Sequence, residues 1–465
     1  MTTTHQPRPE PQPQQEPGWR REVQTPSLAE AHRSIRVPHS ASVWRKLLAF
    51  TGPGLMVAVG YMDPGNWATD LEGGAKFGYT LLSVILISNL MAILLQHLAL
   101  KLGIVTGRDL AQACRDHYSR PAVLTLWVLC EIAIAACDLA EVIGSAIALN
   151  LLFKIPIVWG VLLTGLDVMI VLVLQHKGFR MLEAVVGGLI VLIGGCFAYE
   201  LIASRPDLPQ MLRGLLPAPE IVTDPGKLYI AIGILGATVM PHNLYLHSSI
   251  VQTRAFERDA AGKKMAVHYG TIDSTMSLLM AFFINGAILV LSAAAFHGTK
   301  HQDVAAIGDA YNLLTPVLGA ALASKLFAVA LLASGQNSTL TGTLAGQIVM
   351  EGFLDIRLRP WVRRMITRGI AIVPAVIVAA MYGENGAGRL LILSQVVLSL
   401  QLSFAVLPLV LFTGDRRKMG EFANGFWMKM GAWTVTFAIV GLNGYLLWQQ
   451  IGVPIWAWVR RLVGS

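Results

Sequence analysis

Charge is scarce in this chain. Asp, Glu, Lys and Arg make up 14% of the 465 residues and hydrophobic residues 54%, with a mean hydropathy of +0.57. Soluble domains carry about 25% charged residues, so a water-soluble globule is excluded and a polytopic helical membrane protein is expected. Cysteine is also thin, at four residues. Cys130, Cys137 and Cys196 fall in apolar runs and Cys114 in a loop, which leaves neither a disulfide framework nor a CxxC metal site. HExxH, a Walker A loop and a nucleophile elbow are all missing, and no soluble domain is present to drive an ATP-powered pump. No enzyme activity is expected. Residues 1 to 40 lack an apolar core with a cleavage site and are rich in Pro, Gln, Glu and Arg. Residues 1–42 are therefore expected to form a disordered cytoplasmic tail that is retained.

Apolar runs of roughly 18 residues or more mark membrane spans. Eleven are expected, centred near residues 58, 92, 136, 165, 191, 241, 284, 333, 374, 401 and 440. Most of the 36 Lys and Arg residues lie in the tail and in the loops after the even-numbered spans, which places the N-terminus in the cytoplasm and the C-terminus outside. The net charge of +8 is spread over many short loops. It is a topology signal, and no nucleic-acid partner is expected.

Two spans, the first and the sixth, are interrupted near their middles by a proline among polar and sulfur-bearing residues. These are Asp63-Pro64-Gly65-Asn66 and Met240-Pro241-His242-Asn243. The chain therefore divides into residues 43–205 as a first five-helix repeat, 228–412 as a second, and 413–465 as an eleventh helix with the C-terminus. Five is odd, so the second repeat enters the membrane inverted. Inverted repeats with a discontinuous first helix in each half are the architecture of secondary transporters, with the site where the breaks meet.

Proline carries no N–H, so it leaves the carbonyl of residue i−4 without its helical donor. That frees the carbonyls of Gly60 and Ala237. Asp63 adds a hard anionic oxygen, Asn66 an amide oxygen and Met240 a soft thioether. Oxygen alone suits Mg²⁺ or Ca²⁺, whereas a thioether favours softer ions, so the mixture points to Mn²⁺, Fe²⁺ and similar divalent metals. A Pro in a membrane helix is most often a kink, and a Met is ordinarily packing. A carboxylate at mid-span is different, because its burial is costly unless it is paired.

The third span carries Glu131, Asp138 and Glu141, whose offsets of seven and three place them on one helical face. Such a stripe reads either as a proton path or as an ion-pair ladder that locks helices together. Arg363 and Arg364, near the start of the ninth span, are the candidate partners. His242 titrates near neutrality when unperturbed and is suited to passing a proton. Asn285, Asp167, Lys325 and His97 read as helix-to-helix hydrogen bonds or interfacial groups.

Three segments carry a family resemblance: Gly60-Tyr61-Met62-Asp63-Pro64-Gly65-Asn66; Gly236-Ala237-Thr238-Val239-Met240-Pro241-His242-Asn243 with Tyr245-Leu246-His247-Ser248; and 335–346, Gly-Gln-Asn-Ser-Thr-Leu-Thr-Gly-Thr-Leu-Ala-Gly, running into Glu351-Gly352. The chain resembles the natural resistance-associated macrophage protein (Nramp) family of proton-coupled divalent metal transporters over roughly residues 45 to 450, and within it the bacterial manganese importers. The resemblance implies a leucine-transporter-like fold in a bacterial plasma (inner) membrane. It implies metal held by Asp63, Asn66, Met240 and the carbonyls of Gly60 and Ala237, with Gln395 joining when the site faces outward. It also implies a proton route through Asp63 and His242 to Glu131, Asp138 and Glu141 and on to Arg363 and Arg364. The metal is cargo, no cofactor is expected, and one chain suffices.

Two other functions are weighed. A sodium-coupled amino-acid carrier on the same architecture would need donors for a substrate carboxylate, which Asp63 would repel. A metal-responsive membrane sensor would call for an appended signalling domain, and only the tail and the short segment after residue 450 are available.

Overall fold

Long apolar runs bounded by local start and stop signals make this an almost entirely helical chain. The computed structural model describes residues 18–21, 25–37, 42–166, 177–302, 307–319, 322–356 and 360–448, excepting the side chains of 360–361, 363–364, 379 and 382–386. Its principal helices are α1 (Val43–Phe50), α2 (Pro53–Gly60), α3 (Pro64–Phe77), α4 (Leu82–Thr106), α5 (Leu110–His117), α6 (Arg120–Phe153), α7 (Ile157–Leu163), α8 (Phe179–Ser204), α9 (Pro225–Thr238), α10 (Pro241–Ile250), α11 (Ala260–Phe296), α12 (Ile307–Leu318), α13 (Ala323–Leu354), α14 (Pro360–Gly414) and α15 (Phe426–Leu447).

The starts follow capping chemistry. Asp224 accepts from Gly226 N–H and Lys227 N–H ahead of α9, Asp259 from Gly262 N–H ahead of α11, and Asp109 forms a capping box with Gln112 ahead of α5. Gly107, in the left-handed region at φ 70°, ends α4. Large apolar side chains such as Val191, Ile202, Phe283 and Phe437 are exposed, whereas Asp63, Asn66, Glu141 and Asn243 are buried. That inversion suits a hydrocarbon surround with a polar interior.

Among the described residues, seven segments are long and apolar enough to cross a membrane: 82–106, 120–153, 179–204, 225–253, 260–296, 387–414 and 426–447. The other expected spans appear in different form. The first is split into α2 and α3. The eighth is α13, whose run of Gly, Gln, Asn, Ser and Thr lowers its hydropathy. The fourth begins with α7, and residues 167–176, including Asp167, lie outside the described residues.

Spans nine and ten were expected as separate helices, and both lie in the continuous helical segment α14, with Pro374 and Pro408 inside it. The segment nonetheless folds back on itself. Arg368 touches Glu141 of α6, while Gln395 packs against Gly65, whose neighbour Pro64 packs against Gly144, one turn along α6 from Glu141. On a straight helix Arg368 and Gln395 would be about 40 Å apart, too far for both contacts.

Within the stretch expected to be a disordered tail, the described residues make specific contacts. The Trp19 ring lies between the Arg108 guanidinium, 4.6 Å from its centroid, and the Lys418 ammonium, 4.8 Å away, with its edge on Phe412. The Ser27 hydroxyl donates to Asp109 Oδ2 (2.5 Å) and lies 2.6 Å from Ser249 Oγ. Ile35–Arg36 (β1) pairs in parallel with Arg254–Ala255 (β2).

These contacts end beside the α1–α2 turn. There the buried Arg254 donates to Ala49 O, Thr51 O and Glu183 Oε1, and Asp273 accepts from Gly52 N–H and Gly54 N–H. Gly52 has φ 140°, and a Cβ there would overlap the Glu183 carboxylate. Glycine is therefore required where α2 sets off toward the break.

Candidate metal and proton site

Both breaks are true interruptions with helix on either side. α2 ends at Gly60, and α3 begins at Pro64 with Asp63 as its N-cap and Pro in the first helical position, where its missing N–H costs nothing. Asp63 Oδ1 accepts the Asn66 N–H at 2.8 Å. Its other oxygen, Oδ2, is buried without a hydrogen-bond partner, as is Asn66 Oδ1. Capping thus accounts for half of the carboxylate and leaves the other half to explain.

The second break mirrors the first. α9 ends at Thr238, and α10 starts at Pro241 with Met240 as N-cap and no side-chain cap bond. Methionine is a poor cap, so local helix chemistry does not account for it. Met240 is fully buried in a cluster with Ala133 and Cys137 of α6 and Leu398 of α14.

Residues i+4 from Gly60 and Ala237 are Pro64 and Pro241, which have no N–H to offer these carbonyls. The break frees two further carbonyls, and these are taken up. Asn285 donates to Tyr61 O (2.5 Å), while Met62 O accepts from Trp67 Nε1 (3.3 Å) and from the Ser334 hydroxyl. Asn285 is thus the helix-to-helix hydrogen bond the sequence suggests, and His97, bonded to Thr271 across helices, is another.

The two breaks touch. A Cβ on Gly60 would overlap the Asn243 amide, and one on Gly65 would overlap the Gln395 amide. A Cβ on Gly236 would strike Gln395 O and Ser399. Gln395 therefore sits between the first turn of α3 and the end of α9. Its Oε1 is buried without a hydrogen-bond partner, as is Asn243 Oδ1. Among the described residues no group of three His, Cys, Asp or Glu side chains gathers. The groups that the two breaks carry are instead one carboxylate, neutral oxygens and a thioether.

From Met240 the polar path continues into α6. Cys137 Sγ lies 3.9 Å from His242 Nε2 and 3.8 Å from Glu141 Oε1, so this thiol bridges the second break and the acidic stripe. Asp138 and Glu141 are buried. Glu131 is partly exposed and accepts from Trp127 Nε1 at 3.1 Å.

The side chains of Arg363 and Arg364 lie outside the described residues. Arg368, one turn beyond Arg364, reaches the Glu141 carboxylate and the Asp138 backbone carbonyl. It approaches Glu141 Oε2 and Asp138 O at 3.4 Å each and donates to the Thr339 hydroxyl at 2.9 Å, which in turn donates to Glu141 Oε2 at 3.2 Å.

Sequence reasoning missed Arg368, Cys137 and a network in which Gln96 Nε2 donates to Tyr61 Oη (3.0 Å) while Gln96 Oε1 meets His247 Nδ1 (2.9 Å). Lone polar residues in apolar spans were the available signal. It also missed Asp70, a buried carboxylate on α3.

Comparison with known proteins agrees with this geometry. A family profile described as natural resistance-associated macrophage protein-like matches residues 54–449. A Nostoc sp. protein named divalent metal cation transporter MntH is 62% identical over 437 residues, covering 94% of this chain and 98% of its own length. A point mutant of the Eremococcus coleocola manganese transporter superposes with a TM-score of 0.85 at 43% identity, covering 91% of each chain. Mhp1, a nucleobase-cation-symport-1 family transporter, shares the fold at 14% identity and a TM-score of 0.57, covering 90% of this chain and 95% of its own. The fold is leucine-transporter-like, as the paired breaks suggest, and the chain belongs to the natural resistance-associated macrophage protein family.

Proposed function

We propose that the chain is a secondary transporter that imports divalent transition metal ions, Mn²⁺ foremost, together with protons by alternating access across a bacterial plasma membrane, with its N-terminus in the cytoplasm. The observation that carries this reading is the set of buried, unpartnered oxygens where the two breaks touch. Asp63 Oδ2 and Asn66 Oδ1 are buried with no hydrogen-bond partner, the Gly60 and Ala237 carbonyls face prolines in place of donors, and Met240 stands at a helix start where it does no capping. Leaving such oxygens unpaired in a membrane interior costs several kcal/mol, a cost that a transported cation offsets while bound.

Each part has a role in that cycle. Asp63 supplies charge, Met240 favours transition metals over Ca²⁺ and Mg²⁺, and Gln395 lies where it adds an amide oxygen. Because each break severs its helix, each half-helix can tilt on its break and open the site to one side at a time. Protons leave Asp63 and pass by His242 and Cys137 to Asp138 and Glu141, where Arg368 balances their charge. The metal relatives named above are transporters, and the paired-break site suits the same task here.

The test is uptake of Mn²⁺ into proteoliposomes under an inward proton gradient. Entry that Asp63→Ala abolishes is expected, and no entry by the wild-type protein overturns the reading.

A further inference from the structure

Asp70 has no part in the site described above, yet it is 1% exposed and its Oδ2 is buried without a hydrogen-bond partner. It stands on the same helix as the hard half of the metal site. Asp63, Asn66 and Asp70 are spaced at offsets of three and seven, which places all three on one face of α3. Each presents a buried oxygen that no donor reaches: Asp63 Oδ2, Asn66 Oδ1 and Asp70 Oδ2.

The neighbouring faces are occupied by ordinary packing. Gly73 abuts Leu81, Ile230 and Ile234, and Gly74 abuts Leu289 O and Ser292. The Ser292 hydroxyl donates to Leu71 O, and the Trp67 ring packs edge-on against Phe197 and Phe327 at 4.7 and 5.1 Å. Only this stripe of α3 offers oxygen without a partner.

The helical rise between Asp63 and Asp70 is about 10 Å. That is too far for both to hold one ion and close enough to hand one on. Stability does not explain the second carboxylate. A neutral residue of the same size would pack there without the several kcal/mol that an unpaired buried carboxylate costs.

We propose that Asp70 is a second cation contact, which receives a divalent ion from the far end of α3 and passes it by way of Asn66 to Asp63. The inference rests on the transport reading above, with that end of α3 facing outward. The contact is built of oxygen alone and takes Mn²⁺, Mg²⁺ and Ca²⁺ alike. It concentrates cations ahead of the selective site, and the choice among them stays with Met240.

Initial-rate Mn²⁺ uptake by proteoliposomes of wild type, Asp70→Asn and Asp70→Glu tests it, with Mg²⁺ as competitor. Expected for Asp70→Asn are a KM for Mn²⁺ raised about tenfold, a maximal rate within about twofold of wild type, and weaker inhibition by Mg²⁺. Asp70→Glu, which keeps the carboxylate, restores the KM. A KM unchanged in Asp70→Asn, or raised alike in both variants, overturns the proposal. Failure of the wild-type protein to take up Mn²⁺ overturns the transport reading instead.

Discussion

Arg368 of α14 lies 3.4 Å from Glu141 of α6, both side chains at most 2% exposed, and the Thr339 hydroxyl bonds to each of them. Through Cys137 the same Glu141 is linked to His242 at the second break. One ion pair thus ends a polar chain that starts at the second break.

Replacing Arg368 should uncouple the two halves of that chain. In Arg368→Gln the Glu141 carboxylate loses a buried cation, a change that costs about 3–5 kcal/mol when nothing else compensates. The expected outcome is that Mn²⁺ uptake no longer speeds up under an inward proton gradient. Arg368→Lys, with a point charge and no fork, should retain part of the acceleration. The check is the ratio of uptake rates with and without the gradient; an unchanged ratio in Arg368→Gln would remove the pair from the proton route.

Met240→Ala should weaken discrimination against Ca²⁺ more than it weakens Mn²⁺ uptake. The substitution deletes the thioether at the second break and leaves the oxygens in place. Competition of Ca²⁺ against Mn²⁺ uptake measures this, and equal losses for both ions would show that the thioether does not select.

Gly144→Ala should be damaging where Gly188→Ala is not. A Cβ at Gly144 overlaps the rigid ring of Pro64, while at Gly188 nothing lies within 4 Å. Overpacking costs about 1–3 kcal/mol, and here it displaces the residue next to Asp63. A lowered Tm with weakened Mn²⁺ binding is expected for Gly144→Ala, and an unchanged or slightly raised Tm for Gly188→Ala.

Ser27→Ala tests the ordered N-terminal segment and carries a pH signature. Burial pushes the Asp109 carboxyl up from 3.8 to about 6, against the Ser27 and Gln112 hydrogen bonds, which favour its charged form. A raised acid stabilises the fold fully below its unfolded value near 3.8, and that contribution is lost as pH rises through about 6. Removing the Ser27 bond raises the group further, so the loss grows at higher pH. A hydrogen bond to a charged group is worth about 1.5–3 kcal/mol. The Tm of Ser27→Ala should therefore fall further below wild type at pH 7.5 than at pH 5, and an equal drop at both would contradict the assignment.

The breaks are legible in sequence because proline acts on its own chain. Pro64 and Pro241 name their freed carbonyls by counting, and Asp63, Asn66 and Met240 stand within two residues of these prolines. Contacts between distant elements are less legible. Arg363, Arg364 and Arg368 share a short stretch, and the contact of Arg368 with Glu141 comes from the packing of α14 on α6. Asp70 sits near Glu72 and Lys76, where a charged residue reads as the exit from a span. Residues 25–37 hold too little apolar surface to signal order, yet Ser27 and the Ile35–Arg36 strand are fixed by hydrogen bonds to α5, α10 and Arg254–Ala255.

The central claim is that two broken helices form one site through which metal and protons move together. Simultaneous recording of Mn²⁺ entry and internal pH in proteoliposomes tests it most directly. The account predicts internal acidification that starts with Mn²⁺ addition, scales with Mn²⁺ entry and disappears in Asp63→Ala. Mn²⁺ entry with no accompanying acidification, or acidification and entry that survive in Asp63→Ala, would contradict it.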